Sequence, residues 1–149
     1  MSTRGASFAG LLAASYATVT GEPLVPEGMS DTEAAAWLYE APFALLAHDT
    51  SPDPLFVYAN LTAQQRFEYD WDEFVGLPSR LSAGEQAREE RRAFLDAVRL
   101  RGYADDYRGL RIAKSGRRFW IEDATVWNLV GPESAPVGQA ALIRRWTDA

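Results

Sequence analysis

The chain has 149 residues, 15 of them basic and 21 acidic, a net charge of −6, no cysteine and one histidine, His48. At about 150 residues per domain this is one domain with one core, and 47% hydrophobic residues rule out a disordered tail. The missing cysteines exclude disulfides, thiolate metal sites and a cysteine nucleophile, and a single histidine leaves too few ligands for the usual protein zinc site.

The charge is unevenly placed: residues 1–79 carry two basic and eleven acidic groups, and residues 80–149 carry thirteen basic and ten acidic. With a pI near 4.8 the chain is not expected to bind nucleic acid, which needs clustered cations to neutralise phosphates. A local arginine-lined anion pocket stays open. No apolar run reaches the roughly 18 residues of a membrane span, so the expectation is a cytoplasmic protein that makes no membrane contact.

The first residues admit two readings. Arg4 followed by the mild run Phe8–Ala17 resembles a short signal peptide. The other reading is an amphipathic helix, because Phe8, Leu11, Leu12 and Tyr16 share one face at helical spacing and Gly21 with Pro23 ends it. Residues 1–29 thus read as an N-terminal helix and linker ahead of a domain of residues 30–149.

Ser30-Asp-Thr-Glu33 is a capping box that opens a helix from Asp31 to about Glu40, which must stop before Pro42. Strands are expected at Phe43–His48 and Leu55–Tyr58, joined by the turn-rich residues 49–54. Asn60 suits the cap of a helix through Phe67. Asp70-Trp-Asp-Glu73 opens a short helix closed by Gly76. Ser82-Ala-Gly-Glu85 opens a longer one that runs to Arg101, with Ala87, Phe94, Leu95 and Val98 on one face and Gly102 as its stop. The period then changes to two: Tyr107–Ala113, the turn Lys114-Ser-Gly116, and Arg117–Leu129, in which Phe119, Ile121, Trp127 and Leu129 share a face. A last strand runs from Val137 to about Trp146. This order implies an α+β domain: a five-stranded antiparallel sheet with helices packed on one face, plus the N-terminal helices. Ligands in such domains lie between sheet and helices.

His48 follows the first strand and reads as a structural residue that fixes the hairpin turn through Asp49 or backbone; no Gly-x-Ser-x-Gly elbow presents a serine to it. Asp105-Asp106 and Glu122-Asp123 are adjacent pairs whose members point to opposite faces of a strand, so neither pair should share a substrate. Asp123 falls on the core face with Phe119 and Ile121. There a carboxylate needs a partner, either Arg80 or Arg111 in an ion pair, or a polar ligand group. Arg88, Arg91 and Arg92 alternate with Glu85, Glu89 and Glu90 as on a solvated helix face, which leaves Arg80 as the better anion candidate. Trp120, Trp127 and Trp146 either line a pocket or pack sheet against helix.

The strings LLAASYATVTGEPL, LYEAPFALLAHDTSPDPLFVYANLTAQQRFEYDWDEFVGLPSRLSA and DDYRGLRIAKSGRRFWIEDATVWNLV resemble the MEKHLA-type PAS-like family over Leu11 to about Arg145. That family occurs in stand-alone bacterial proteins and at the C-terminus of plant class III homeodomain-leucine zipper proteins. The homeodomain and zipper have no counterpart in these residues, so DNA binding is not implied. Residues 57–83 and 110–121 are also similar to the flavin-binding LOV branch of PAS domains. VYAN, ending at Asn60, matches the entry to the ligand-facing helix. Gly76-Leu-Pro-Ser-Arg-Leu-Ser-Ala83 places Ser79 where LOV domains carry the photoreactive cysteine and Arg80 where an arginine meets the flavin phosphate. Phe119-Trp120 matches the hairpin. The two ring-binding asparagines fall at Arg111 and Ile121, and Gln139 directly follows Gly138 where LOV domains separate the two by a residue.

The resemblance implies a non-catalytic sensor or small-molecule-binding module that signals through a protein partner or a homodimer. Its ligand candidates are Asn60, Ser79, Arg80, Arg111, Asp123, Trp127 and Gln139. Ser79 excludes cysteinyl photochemistry, and the lost asparagines count against a flavin; no metal is expected, and the ligand's identity stays open. The alternatives are an interaction module with a filled core and no ligand, and a flavin protein without the cysteinyl reaction.

Overall fold

The structure is a computed structural model that describes residues 4–83, 92, 94, 96–131 and 135–149. Helix α1 (Ala6–Thr20) ends where Gly21 enters the left-handed region at φ 74° and its N–H closes on Ala17 O. Leu12 and Tyr16 are buried, with Phe8 and Leu11 packed beside them, as the amphipathic-helix reading expects. Helix α2 (Asp31–Tyr39) opens on the capping box, in which Glu33 N–H donates to Ser30 Oγ and Ser30 N–H to the Glu33 carboxylate.

The chain continues through β1 (Ala44–His48), β2 (Phe56–Ala59), α3 (Leu61–Phe67) and α4 (Trp71–Phe74) to a 3₁₀ turn at Ser79–Ser82. Helix α5 is described at residues 92, 94 and 96–101 and closes on Gly102, whose N–H meets Val98 O. The hairpin β3 (Tyr103–Ile112) and β4 (Arg118–Val130) follows, then β5 (Pro136–Asp148). The expected roles of Glu85, Ala87, Arg88, Glu89, Glu90, Arg91 and Leu95 lie outside the described residues; Arg92 is exposed.

The strands form one antiparallel sheet in the order β2-β1-β5-β4-β3. Both faces are covered. On one, α1 and α2 bury Leu12, Tyr16 and Leu38 against Leu45, Trp127 and Leu142. On the other, α3 and α4 bury Phe67 and Phe74 against Leu46, Phe119, Ile121 and Ile143, and Val98 of α5 packs on Ala104 and Val126. The N-terminal helices therefore take the face opposite the remaining helices and leave the second face to form the cavity described below.

The hairpin departs from the period-two reading. Pairing shifts between Ala104 and Tyr107 and again between Tyr107 and Gly109, and Asp106 (φ 55°) and Asp123 (φ 49°) stand in the left-handed region. These are β-bulges, each of which breaks the alternation of faces. Three consequences follow. Strand β3 begins at Tyr103, four residues before the alternation becomes legible. Phe119 and Ile121 face α3 and α4, but Trp127 and Leu129 face α1, so the four residues expected on one face are split between two. Asp105 and Asp106 line the same polar cleft of about 240 Å³ together with Asp123, Thr125 and Arg144, although adjacent strand residues were expected to diverge. No set of three or more His, Asp or Glu side chains among the described residues is arranged to hold a metal ion. No helix is long and apolar enough to cross a membrane, among those residues.

Candidate functional site

Between the sheet and the second helical layer lies a cavity of about 50 Å³, walled on the helical side by Phe67, Ser82 and Phe94. Its sheet wall is mostly apolar, including Leu46, Phe56, Ile121 and Val126, with His48, Tyr107, Arg111 and Gln139 as its polar members.

Arg111 is the unusual residue here. It is 8% exposed, and Gly109 makes room for its side chain to run back along the sheet, since a Cβ there would come within 2.9 Å of Arg111 Nη1 and 2.6 Å of Tyr107 Oη. Nη1 donates to Leu110 O at 2.9 Å and Nη2 to Tyr107 Oη at 3.4 Å. Those bonds use two of the five N–H groups a guanidinium carries. Among the described residues no carboxylate pairs with it. Tyr107 is itself stacked on Phe94, ring centroids 3.9 Å apart. A buried cation without an anion is costly, and the cost is relieved by whatever supplies negative charge.

The other candidates are placed as follows. Asn60 is fully buried and saturated by the protein: Oδ1 accepts from Leu45 N–H (3.0 Å) and Ala63 N–H (3.1 Å), and Nδ2 donates to Leu38 O (3.0 Å) and Phe43 O (2.9 Å). It caps α3 and ties it to β1 and α2, leaving no capacity for a ligand. Ser79 is buried in the 3₁₀ turn, its N–H on Pro54 O and its carbonyl accepting from Ser82 Oγ, and Ser82 is the serine that lines the cavity. Arg80 stands outside, 55% exposed, paired with Asp53 at 3.1 Å. Asp123 reaches neither Arg80 nor Arg111; its carbonyl accepts from Arg144 Nη1 at 3.1 Å, and the expected core ion pair does not form. Trp127 is fully buried beneath α1, edge-on to Tyr16 at 4.9 Å, on the opposite face from the cavity.

Gln139 lines the cavity and donates through Nε2 to Asn128 Oδ1 at 3.0 Å. His48 Nδ1 meets Asp49 O at 2.8 Å, the structural contact expected of it, and also borders the cavity. The turn it stabilises is built on Asp49, whose carboxylate accepts from Leu55 N–H and Ser51 N–H and is held below the usual range chiefly by the first of these bonds.

Tyr107, Ser82 and Phe94 were not legible as site residues from sequence. The available signal was Gly109, a glycine inside a strand, which marks a close approach of other groups to the backbone.

The strand order, the all-antiparallel sheet and the cavity between sheet and helices define a PAS-like α+β domain. The family model of the MEKHLA domain matches residues 6–148, and the chain belongs to that family. Solved structures of the same fold include the PAS domain of a Colwellia psychrerythraea protein, 18% identical, TM-score 0.65, covering 77% of this chain and 92% of that one. A Rhodobacter sphaeroides LOV protein is 20% identical, with a TM-score of 0.61, over 73% of this chain and 62% of its own. An RNA-binding Light-Oxygen-Voltage receptor is 20% identical, with a TM-score of 0.67, over 87% of this chain but 37% of its own. No curated protein matches the sequence significantly.

The described residues do not fit a flavin. The cavity is several-fold below the roughly 300 Å³ of an ordinary ligand pocket. At the two positions that the resemblance to LOV domains aligns with ring-binding asparagines stand Ile121 and the folded-back Arg111, and Arg80 is turned out to Asp53.

Proposed function

We propose that this domain is a ligand-responsive sensor module of the cytoplasm, without catalytic activity of its own, whose cavity takes a small organic anion at Arg111. The observation that carries this reading is the buried guanidinium, with three N–H groups to spare and no carboxylate near it among the described residues. The sheet wall is held by backbone ladders to neighbouring strands, whereas Phe94 reaches the cavity from a helix, so a ligand larger than the cavity displaces Phe94 first. Such a shift biases the domain between two states that a protein partner or a second copy can read. One observation favours a second reading, an interaction module with a filled core: the small volume of about 50 Å³.

The test is thermal unfolding in acetate, a series of longer linear carboxylates, phosphate and chloride at constant ionic strength. A ligand at a hundredfold excess over its Kd stabilises by about 2.7 kcal/mol. A saturable rise in Tm with a carboxylate, absent in Arg111→Met, supports the anion site. Flat Tm values throughout, with Arg111→Met as stable as the parent, establish the filled-core module instead.

A further inference from the structure

One hydrogen-bond chain bordering the cavity has its direction set from its far end. Val98 O can only accept, and it takes Gly102 N–H at 2.6 Å and Asn128 Nδ2 at 3.3 Å. Asn128 must therefore turn its Oδ1 toward Gln139, which answers with Nε2 at 3.0 Å. Asn128 is pinned further by its own N–H on Gly102 O at 2.9 Å. Gln139 is then left presenting Oε1, which is buried and has no partner among the described residues. The backbone below cannot shift to relieve it: Gln139 pairs with both Asn128 and His48, and the strands approach so closely at Gly138 that a Cβ there would lie 2.4 Å from His48 O. A buried acceptor held so firmly without a donor calls for one from the cavity side.

The cavity thus has a donor-only group, Arg111, and an acceptor-only atom, Gln139 Oε1. They stand at opposite ends. The Arg111 guanidinium lies over Gly109, which pairs with Ile121, whereas Gln139 pairs with Asn128. Seven strand residues separate those positions on β4, roughly 20 Å before the two side chains lean inward. The sheet between them presents the apolar Val126 and Ile143, with Tyr107 beside Arg111. We infer that the ligand is an extended, medium-chain carboxylic acid with a hydroxyl or amine at its far end, its carboxylate on Arg111 and its terminal donor on Gln139 Oε1, and that, being larger than the about 50 Å³ now open, it enters by displacing the Phe94 side chain. This rests on the reading of Arg111 as an anion site, and it adds the far-end donor and the chain between.

The test compares linear carboxylic acids of six to twelve carbons with their ω-hydroxy counterparts, binding to the whole chain being followed by calorimetry and by Tm. At the best chain length the ω-hydroxy acid is expected to bind about tenfold tighter than the plain acid. The preference reverses in Gln139→Met, where the hydroxyl loses its acceptor, and moves to ω-amino acids in Gln139→Glu. Equal affinity of plain and hydroxy acids for the parent protein overturns the inference while leaving the anion site standing. Failure of every acid to bind overturns both. The comparison on the unaltered protein decides between these outcomes whether or not either variant folds.

Discussion

Asn60→Ala tests whether the most buried polar side chain of the ligand-facing layer serves the fold or a ligand. The substitution removes four bonds at once, two accepted from Leu45 and Ala63 N–H and two donated to Leu38 and Phe43 carbonyls. At a net value of about 1 kcal/mol per bond the loss is about 4 kcal/mol, with the cap of α3 included in that figure. For a domain of this length that lowers Tm by roughly 10 °C. Asn60→Asp sharpens the point, because it keeps the two accepted bonds but sets a carboxylate oxygen against two carbonyls, and it should be no milder than alanine. Urea unfolding followed by circular dichroism measures both. A loss below about 1 kcal/mol for Asn60→Ala, too small for even one cap bond among four, refutes the structural assignment, and a simultaneous loss of carboxylate response would return Asn60 to the ligand site.

Gly138→Ala forces a Cβ to within 2.4 Å of the His48 carbonyl, a backbone atom that cannot swing aside; β1 and β5 must part, at about 2 kcal/mol in urea unfolding. Arg80→Ala removes an exposed pair with Asp53 and should cost less than about 1 kcal/mol while leaving carboxylate-dependent shifts of Tm unchanged; a lost response would place the anion at Arg80. Acid sensitivity follows from carboxylates held below their ordinary range: Asp49 by Leu55 N–H, Glu68 by its bonds to Ser115, Glu73 by Lys114, and Glu33 by Ser30. A depressed folded-state pKa means that the unfolded chain takes up protons first, so this stability is complete above the ordinary carboxyl range and lost as pH falls through the folded values. Tm should be flat from pH 7 to about 5 and fall below about 4, more shallowly in Glu68→Gln; a Tm that rises on acidification contradicts the assignment.

The sequence by itself determined the local structure. Capping at Ser30, Asn60 and Asp70, the stops at Gly21 and Gly102, and the turn at Gly116 are set by bonds between neighbours or by the φ of a single residue, and all stand where their chemistry places them. The strand count, the antiparallel pairing and the family are likewise legible, since they follow from period and from long matching strings. Which face a residue occupies was decided only in the folded sheet. Asp106 and Asp123 adopt left-handed backbone, and no local rule says that an aspartate in a strand will do so. Each bulge reverses every side chain beyond it. That is why Trp127 lies in the core beneath α1 and Asp123 in a cleft, whereas the sequence reading placed both on one face with Phe119 and Ile121. Arg80 and Arg111 make the same point: both are arginines in a matching segment, but Asp53 draws the first to the surface, and the space over Gly109 folds the second into the cavity. The partner that settles an arginine's role lies 27 residues away in the first case, a distance that pattern and spacing do not span.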